Sequence, residues 1–66
     1  MSLGEKLKKA RKGKKMTQLE VADILGVKTA TICQYEKNVA FPSLPNFKNL
    51  CELFKLSADE LLDLKK

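Results

Sequence analysis

The sequence predicts an all-α fold: one compact domain of five short helices, in which helices 2 and 3 form a helix-turn-helix. Three observations predict it. Apolar residues recur at one-turn spacing in each segment between turn signals, and no segment reads as a strand. Thr17-x-x-Glu20 and Ser57-x-x-Glu60 have the form of capping boxes that open helices. Between the second and third periodic segments lie only Gly26 and Val27, the short glycine-containing turn of a helix-turn-helix. A chain of 66 residues allows a single domain, residues 1–66, whose core is small enough that good helix packing or self-association is needed.

In order, residues 2 to 14 form the first helix, with Leu3, Leu7 and Ala10 as its buried stripe and Gly13 marking its end. Arg11 borders that stripe. Its partner of choice is Glu36, late in the third helix, although the two also fit as unrelated surface charges. The second helix, about 17 to 25, is capped by Thr17, stapled by Met16 against Val21, and turns Val21, Ala22 and Leu25 inward. Gly26 ends it, because a residue without Cβ enters left-handed angles at no steric cost. The third helix, about 28 to 37, directs Ile32 and Tyr35 inward and Thr29, Ala30 and Gln34 to another face, and Asn38 suits its left-handed close. Pro42 makes 39 to 42 a loop, whose Val39 and Phe41 either tuck under the fold or face a partner. Ser43 caps the fourth helix, with Pro45 tolerated in its first turn and Leu44, Phe47, Leu50, Cys51 and Phe54 as its buried face. The fifth, about 57 to 64, buries Leu61 with Ala58 and Leu64.

The formal net charge is +5, and it is concentrated: residues 1 to 15 hold seven basic side chains against Glu5 alone, while the remainder is close to neutral. Such a block either attracts a polyanion or is a solvated lysine face. Catalysis is a poor reading, because there is no histidine, carboxylate cluster or glycine-rich phosphate loop. Cys33 and Cys51, eighteen apart, match no metal spacing and are expected as reduced thiols, so neither metal nor cofactor is expected. No stretch is apolar enough to span a membrane and no signal peptide is read, so a cytoplasmic location is expected.

The run from Met16 to Asn38, MTQLEVADILGVKTATICQYEKN, followed by Pro42-Ser43 and then LSADELL, resembles the lambda-repressor-like (Cro/repressor, XRE-type) helix-turn-helix family over residues 3 to 62. The resemblance implies a five-helix domain that binds double-stranded operator DNA as a two-fold homodimer, at least on DNA, and regulates transcription, with repression the expected sense. It also implies roles for particular residues. Thr29, Ala30 and Gln34 become base contacts in the major groove, where glutamine pairs with adenine and Ala or the Thr methyl meets a thymine methyl. Gln18, Lys28, Lys37 and Asn38 become phosphate contacts, Gln18 together with the N-terminus of its helix. Arg11 and Glu36 match a largely buried ion pair, and Val39, Phe41, Ala58 and Leu62 lie where family dimers meet.

The chain departs from the family pattern in places. Lys28 stands where Ser or Thr usually caps the recognition helix. Either its ammonium reaches a phosphate, or Thr29 caps one residue later and is weakened as a base contact. Cys33, beside the DNA-facing row, is read as a small tolerated residue in preference to a redox switch, and Leu19, Ile24 and Leu53 are apolar where the family is usually polar. The competing functional reading is a protein-interaction module, such as an antitoxin or a regulator's partner, with DNA binding secondary; Val39, Phe41 and Leu62 would support it.

Overall fold

Short amphipathic segments of this kind are unstable alone and persist only by burying their apolar sides against one another. The computed structural model describes residues 2–56, and within them four helices do so: α1 (Leu3–Gly13), α2 (Gln18–Leu25), α3 (Thr29–Glu36) and α4 (Leu44–Phe54). The fifth helix expected over 57 to 64, with Ala58, Leu61, Leu62 and Leu64, lies outside the described residues. α3 packs against both α1 and α2, and α4 against α2. Leu7 of α1, Val21, Ala22 and Leu25 of α2, Ile32 and Tyr35 of α3, and Leu50 and Phe54 of α4 form one buried cluster. Leu3, Ala10, Met16 and Phe47 are half-buried against it, as are Cys51 and Leu53. The Tyr35 hydroxyl, at the edge of this core, accepts from Asn46 Nδ2 at 3.4 Å.

The helix starts follow local chemistry. The Thr17 capping box is present, with Glu20 N donating to Thr17 Oγ1 at 3.1 Å and Thr17 N donating to Glu20 Oε1 at 2.8 Å. A second box opens α1 at a position the periodicity assigned to the helix itself: Ser2 caps, and Ser2 N donates to Glu5 Oε1 at 3.0 Å. The hydrogen bonds from the Ser2 backbone and hydroxyl hold the Glu5 carboxyl below its ordinary range. α3 begins at Thr29 with Lys28 as its cap residue and no side-chain cap, which removes the alternative in which Thr29 caps.

All four helices end in the same way. The residue that closes the helix turns left-handed, at the cap itself in α2 and α4 and one residue past it in α1 and α3, and two backbone bonds close back over the last turn, as in the Schellman motif. At α2 this residue is Gly26 (φ 72), with Val27 N bonded to Ala22 O at 3.0 Å. At α3 it is Asn38 (φ 61), with Val39 N on Gln34 O at 2.9 Å. At α1 and α4 it is a lysine: Lys15 (φ 57) and Lys55 (φ 54). Gly13, expected to mark the end of the first helix, is its last helical residue.

One expectation for α4 is corrected. Leu44 does not begin the buried face; it is 80 % exposed. The helix meets the core through Leu50 and Phe54, with Phe47 half-buried beside them, and its first residue stands clear of the packed region. Leu44 therefore joins Val39 (70 % exposed) and Phe41 (76 % exposed) as an apolar residue facing solvent.

Two polar clamps hold α1 to α3. Arg11 Nε donates to Glu36 Oε2 at 2.6 Å and its Nη2 to Glu36 Oε1 at 3.2 Å, with the two side chains only 11 % and 5 % exposed. Arg11 Nη1 also donates to Met16 O at 2.8 Å, so the guanidinium is satisfied on three sides. The buried ion pair expected of the resemblance is therefore present. The second clamp is at Gly4, whose backbone N donates to Asn38 Oδ1 at 3.0 Å while Asn38 Nδ2 donates to Ser2 Oγ at 2.9 Å. Here α1 crosses the end of α3 backbone against backbone, and a Cβ on Gly4 would lie 2.7 Å from Tyr35 O.

Gly4→Ala is expected to destabilise the domain by ~1–3 kcal/mol through this overpacking, whereas Gly13→Ala, where a Cβ meets open space, is expected to be neutral or stabilising. Chemical denaturation of the two variants checks the contrast. Arg11→Ala should lower stability by ~3–5 kcal/mol, because Glu36 is left as a buried charge, and adding Glu36→Gln to it should restore a measurable part.

Candidate nucleic-acid interface

Because Ile32 and Tyr35 anchor α3 in the core, the helix must turn its opposite side outward. That side carries Thr29, half-buried, and Ala30 and Gln34, both exposed, so the three residues expected at base edges share one accessible surface. An eight-residue helix is about 12 Å long, short enough to lie along a major groove. Exposed Lys28 and Lys37 stand at its two ends, where lysine can meet phosphates on either side of such a groove. Cys33 is half-buried beside Gln34, and its thiol is free.

The first turn of α3 is electrostatically open. Lys28 O accepts from Thr31 N at 2.9 Å and from Ile32 N at 3.4 Å, while no side chain caps the helix and no acidic residue occupies its first turn. The partial positive charge of that end is therefore not neutralised internally, and Lys28 adds to it. An anion at this end of the helix is stabilised by both.

Gln18, the first residue of α2, is placed by the buried ion pair. Its Nε2 donates to Glu36 Oε1 at 3.1 Å, which fixes the amide beside the end of α3. The sequence gives no signal for this bond, because Gln18 and Glu36 belong to different helices. It leaves Gln18 half-buried at the α2 N-terminus, with its second amide hydrogen still available for a phosphate oxygen. The Asn38 amide oxygen accepts from Gly4 N and its amide nitrogen donates one hydrogen to Ser2 Oγ, so Asn38 joins the end of α3 to the start of α1 while remaining exposed, with a second amide hydrogen outside these bonds.

Among the described residues, no group of three or more His, Cys, Asp or Glu side chains could hold a metal ion. Burial pushes the Cys51 thiol up, away from the reactive thiolate. No helix among them is long and apolar enough to cross a membrane.

Comparisons with known proteins agree with this geometry. A family model described as a helix-turn-helix domain matches residues 4–66. The chain is 34% identical over 62 residues to the HTH-type transcriptional activator BcrR of Enterococcus faecalis, covering 94% of this chain and 30% of that protein. It is 36% identical over 62 residues to the HTH-type transcriptional regulator ImmR of Bacillus subtilis (94% and 49%), and 30% identical over 61 to the cryptic phage CTXphi transcriptional repressor RstR of Vibrio cholerae (92% and 54%). It thus spans between a third and a half, approximately, of the length of these relatives. Among solved structures, the P22 c2 repressor in complex with a synthetic operator superposes with a TM-score of 0.91 at 28% identity, covering 98% of both chains. The solution structure of the P22 c2 repressor DNA-binding domain gives 0.84 at 28% identity, covering 92% of this chain and 80% of that one. An outward-facing third helix held by buried anchors, a lysine at each end of it, and these similarities together show that the chain belongs to the helix-turn-helix DNA-binding family, in its lambda-repressor-like form.

Proposed function

We propose that this domain binds double-stranded operator DNA in a sequence-specific manner and serves as the DNA-reading part of a cytoplasmic transcriptional regulator, most simply a repressor. The observation that carries the proposal is the outer side of α3: Thr29, Ala30 and Gln34 are accessible together, while Ile32 and Tyr35 fasten the helix from behind. Gln34 supplies the paired donor and acceptor that recognise adenine, and Thr29 and Ala30 supply apolar contact to thymine methyls. Gln18, Lys28 and Lys37 supply phosphate contacts that set register and affinity. Asn38, exposed at the end of α3 and held by Gly4 and Ser2, offers its remaining amide hydrogen as a further phosphate contact. The Lys28 charge at the open end of α3 turns a poor cap into an anion contact.

Pairing of two domains on DNA is part of the same proposal. Val39 and Phe41 of the α3–α4 loop and Leu44 at the start of α4 expose apolar surface within six residues of chain. A loop in this position presents the same residues on both copies of a two-fold dimer, which is the requirement of a self-complementary contact. Ala58 and Leu62, expected at this contact, lie outside the described residues.

On an operator selected from random duplexes, Gln34→Ala is expected to relax preference at one base position and Lys28→Ala to weaken binding to all sequences alike. Lys28→Ala should also lower the slope of log affinity against log salt by about 0.9, the share of one phosphate contact. Identical behaviour of the two variants on specific and random DNA would overturn the assignment of α3. For the dimer, Phe41→Ser should remove the gain in affinity from two half-sites ~34 Å apart and leave binding to one half-site unchanged, as read by gel shift on the two duplexes.

A further inference from the structure

α1 and the turn that follows it present a group of lysines to solvent. Lys8, Lys9, Lys12, Lys14 and Lys15 are all exposed, and none has a carboxylate partner among the described residues. The one acid on this face, Glu5, has its carboxylate engaged by Ser2. The direction of the row follows from Arg11, whose side chain points to Glu36 and, through it, to Gln18 at the start of α2. At ~100° per residue, Lys8 and Lys12 fall within about 100° of Arg11 on its solvent side, whereas Lys9 lies about 160° from Arg11, on the far side of the depression that these lysines line. Lys15 follows at the end of α1, three residues before Gln18.

Lys15 also has a backbone feature that separates stability from binding in a test. It holds left-handed angles (φ 57) at the helix-closing position where glycine is favoured, so a lysine side chain is kept there against a conformational penalty. Lys55 holds the same position at the end of α4 (φ 54), away from the α1 row in sequence, and serves as its control.

We propose that Lys8, Lys12 and Lys15 form a phosphate track that carries the duplex past the base pairs facing α3, so that DNA flanking the operator adds affinity without adding sequence preference. This rests on the reading that α3 enters the major groove. Ammonium groups on flexible stems suit contacts of this kind, which need charge within reach and no fixed geometry. A lipid surface is the poorer partner. The shallow depression on this side is lined by Glu5, Lys8, Lys9 and Lys12, with no bulky apolar side chain to enter a bilayer.

The test uses the whole 66-residue chain and an operator selected from random duplexes, in a minimal form and in one extended by about half a helical turn, ~5 base pairs, at each end. Wild type, Lys8→Gln with Lys12→Gln, Lys9→Gln, Lys15→Gly and Lys55→Gly are compared by anisotropy across a salt series and by thermal melting. On the extended duplex the double variant should bind ~10-fold more weakly at low salt, with a salt slope smaller by about 1.8, two phosphate contacts' worth. Its loss on the minimal duplex should be much smaller, and Lys9→Gln should behave as wild type. Lys15→Gly should melt higher, by a few degrees at roughly 4–8 °C per kcal/mol, and yet bind the extended duplex more weakly. Lys55→Gly should also melt higher but bind unchanged. An unaltered salt slope in the double variant, an equal loss in Lys9→Gln, or undiminished binding by Lys15→Gly overturns the track. Tighter capture of the wild type by phosphatidylserine vesicles than by the extended duplex also overturns it. A wild type that binds no duplex overturns both this proposal and the one beneath it, whereas a wild type that binds with every lysine variant alike overturns the track alone.

Discussion

The guanidinium of Arg11 is the point on which the rest of the domain turns. It lies where α1, the α1–α2 turn and α3 meet, and it bonds Glu36 twice and Met16 O once. Glu36 in turn holds Gln18 at the start of α2, so one buried cation sets three helices relative to one another. Such a pair adds little net stability compared with well-packed apolar side chains, because both charges were removed from water. Its consequence here is orientation. Any arrangement of α1 and α3 that separates the partners strands a charge that is almost fully buried, and the outer side of α3 inherits its pose from that constraint. The Gly4–Asn38–Ser2 clamp acts on the same pair of helices from the other end of α1 and permits their backbones to touch.

The same helices show how little of a short element's behaviour is its own. Eight residues form barely two turns, too few to persist in isolation. What makes α2 and α3 persist is the buried cluster to which both contribute, together with stops that are repeated at each helix end. α3 differs from the others at its start, where neither a side-chain cap nor an acid offsets the exposed amides. In a domain whose other three helices are properly capped, this one open end coincides with the accessible row of Thr29, Ala30 and Gln34. The local rule is relaxed where an external anion would complete it.

Much of the fold was legible beforehand, because it depends on short-range patterns. The Thr17–Glu20 box, the glycine stop at 26, the inward pair Ile32 and Tyr35, and the Ser43 cap involve residues within four positions of one another. Leu44 was misread because its spacing matches the α4 stripe, although spacing carries no information about how far the neighbouring helices extend. Lys15 and Lys55 as left-handed closers were not legible either, since lysine has no preference for those angles and the backbone bonds that demand them come from the helix itself. Asn38 suited its turn on sequence grounds, but the use of its amide depended on where Ser2 and Gly4 arrive from 34 and more residues away.

The sequence by itself determined where the described helices lie, which sides of α1, α2 and α3 turn inward, and that the basic charge gathers in α1, because periodicity, caps and composition are local quantities. Only the tertiary structure decided that Gln18 is fastened through Glu36, that Asn38 bonds to Gly4 and Ser2, that Gly4 is a point of backbone contact, and that Val39, Phe41 and Leu44 remain in solvent. Each of these depends on the distance between groups far apart in the chain, and that distance exists only after the helices have packed.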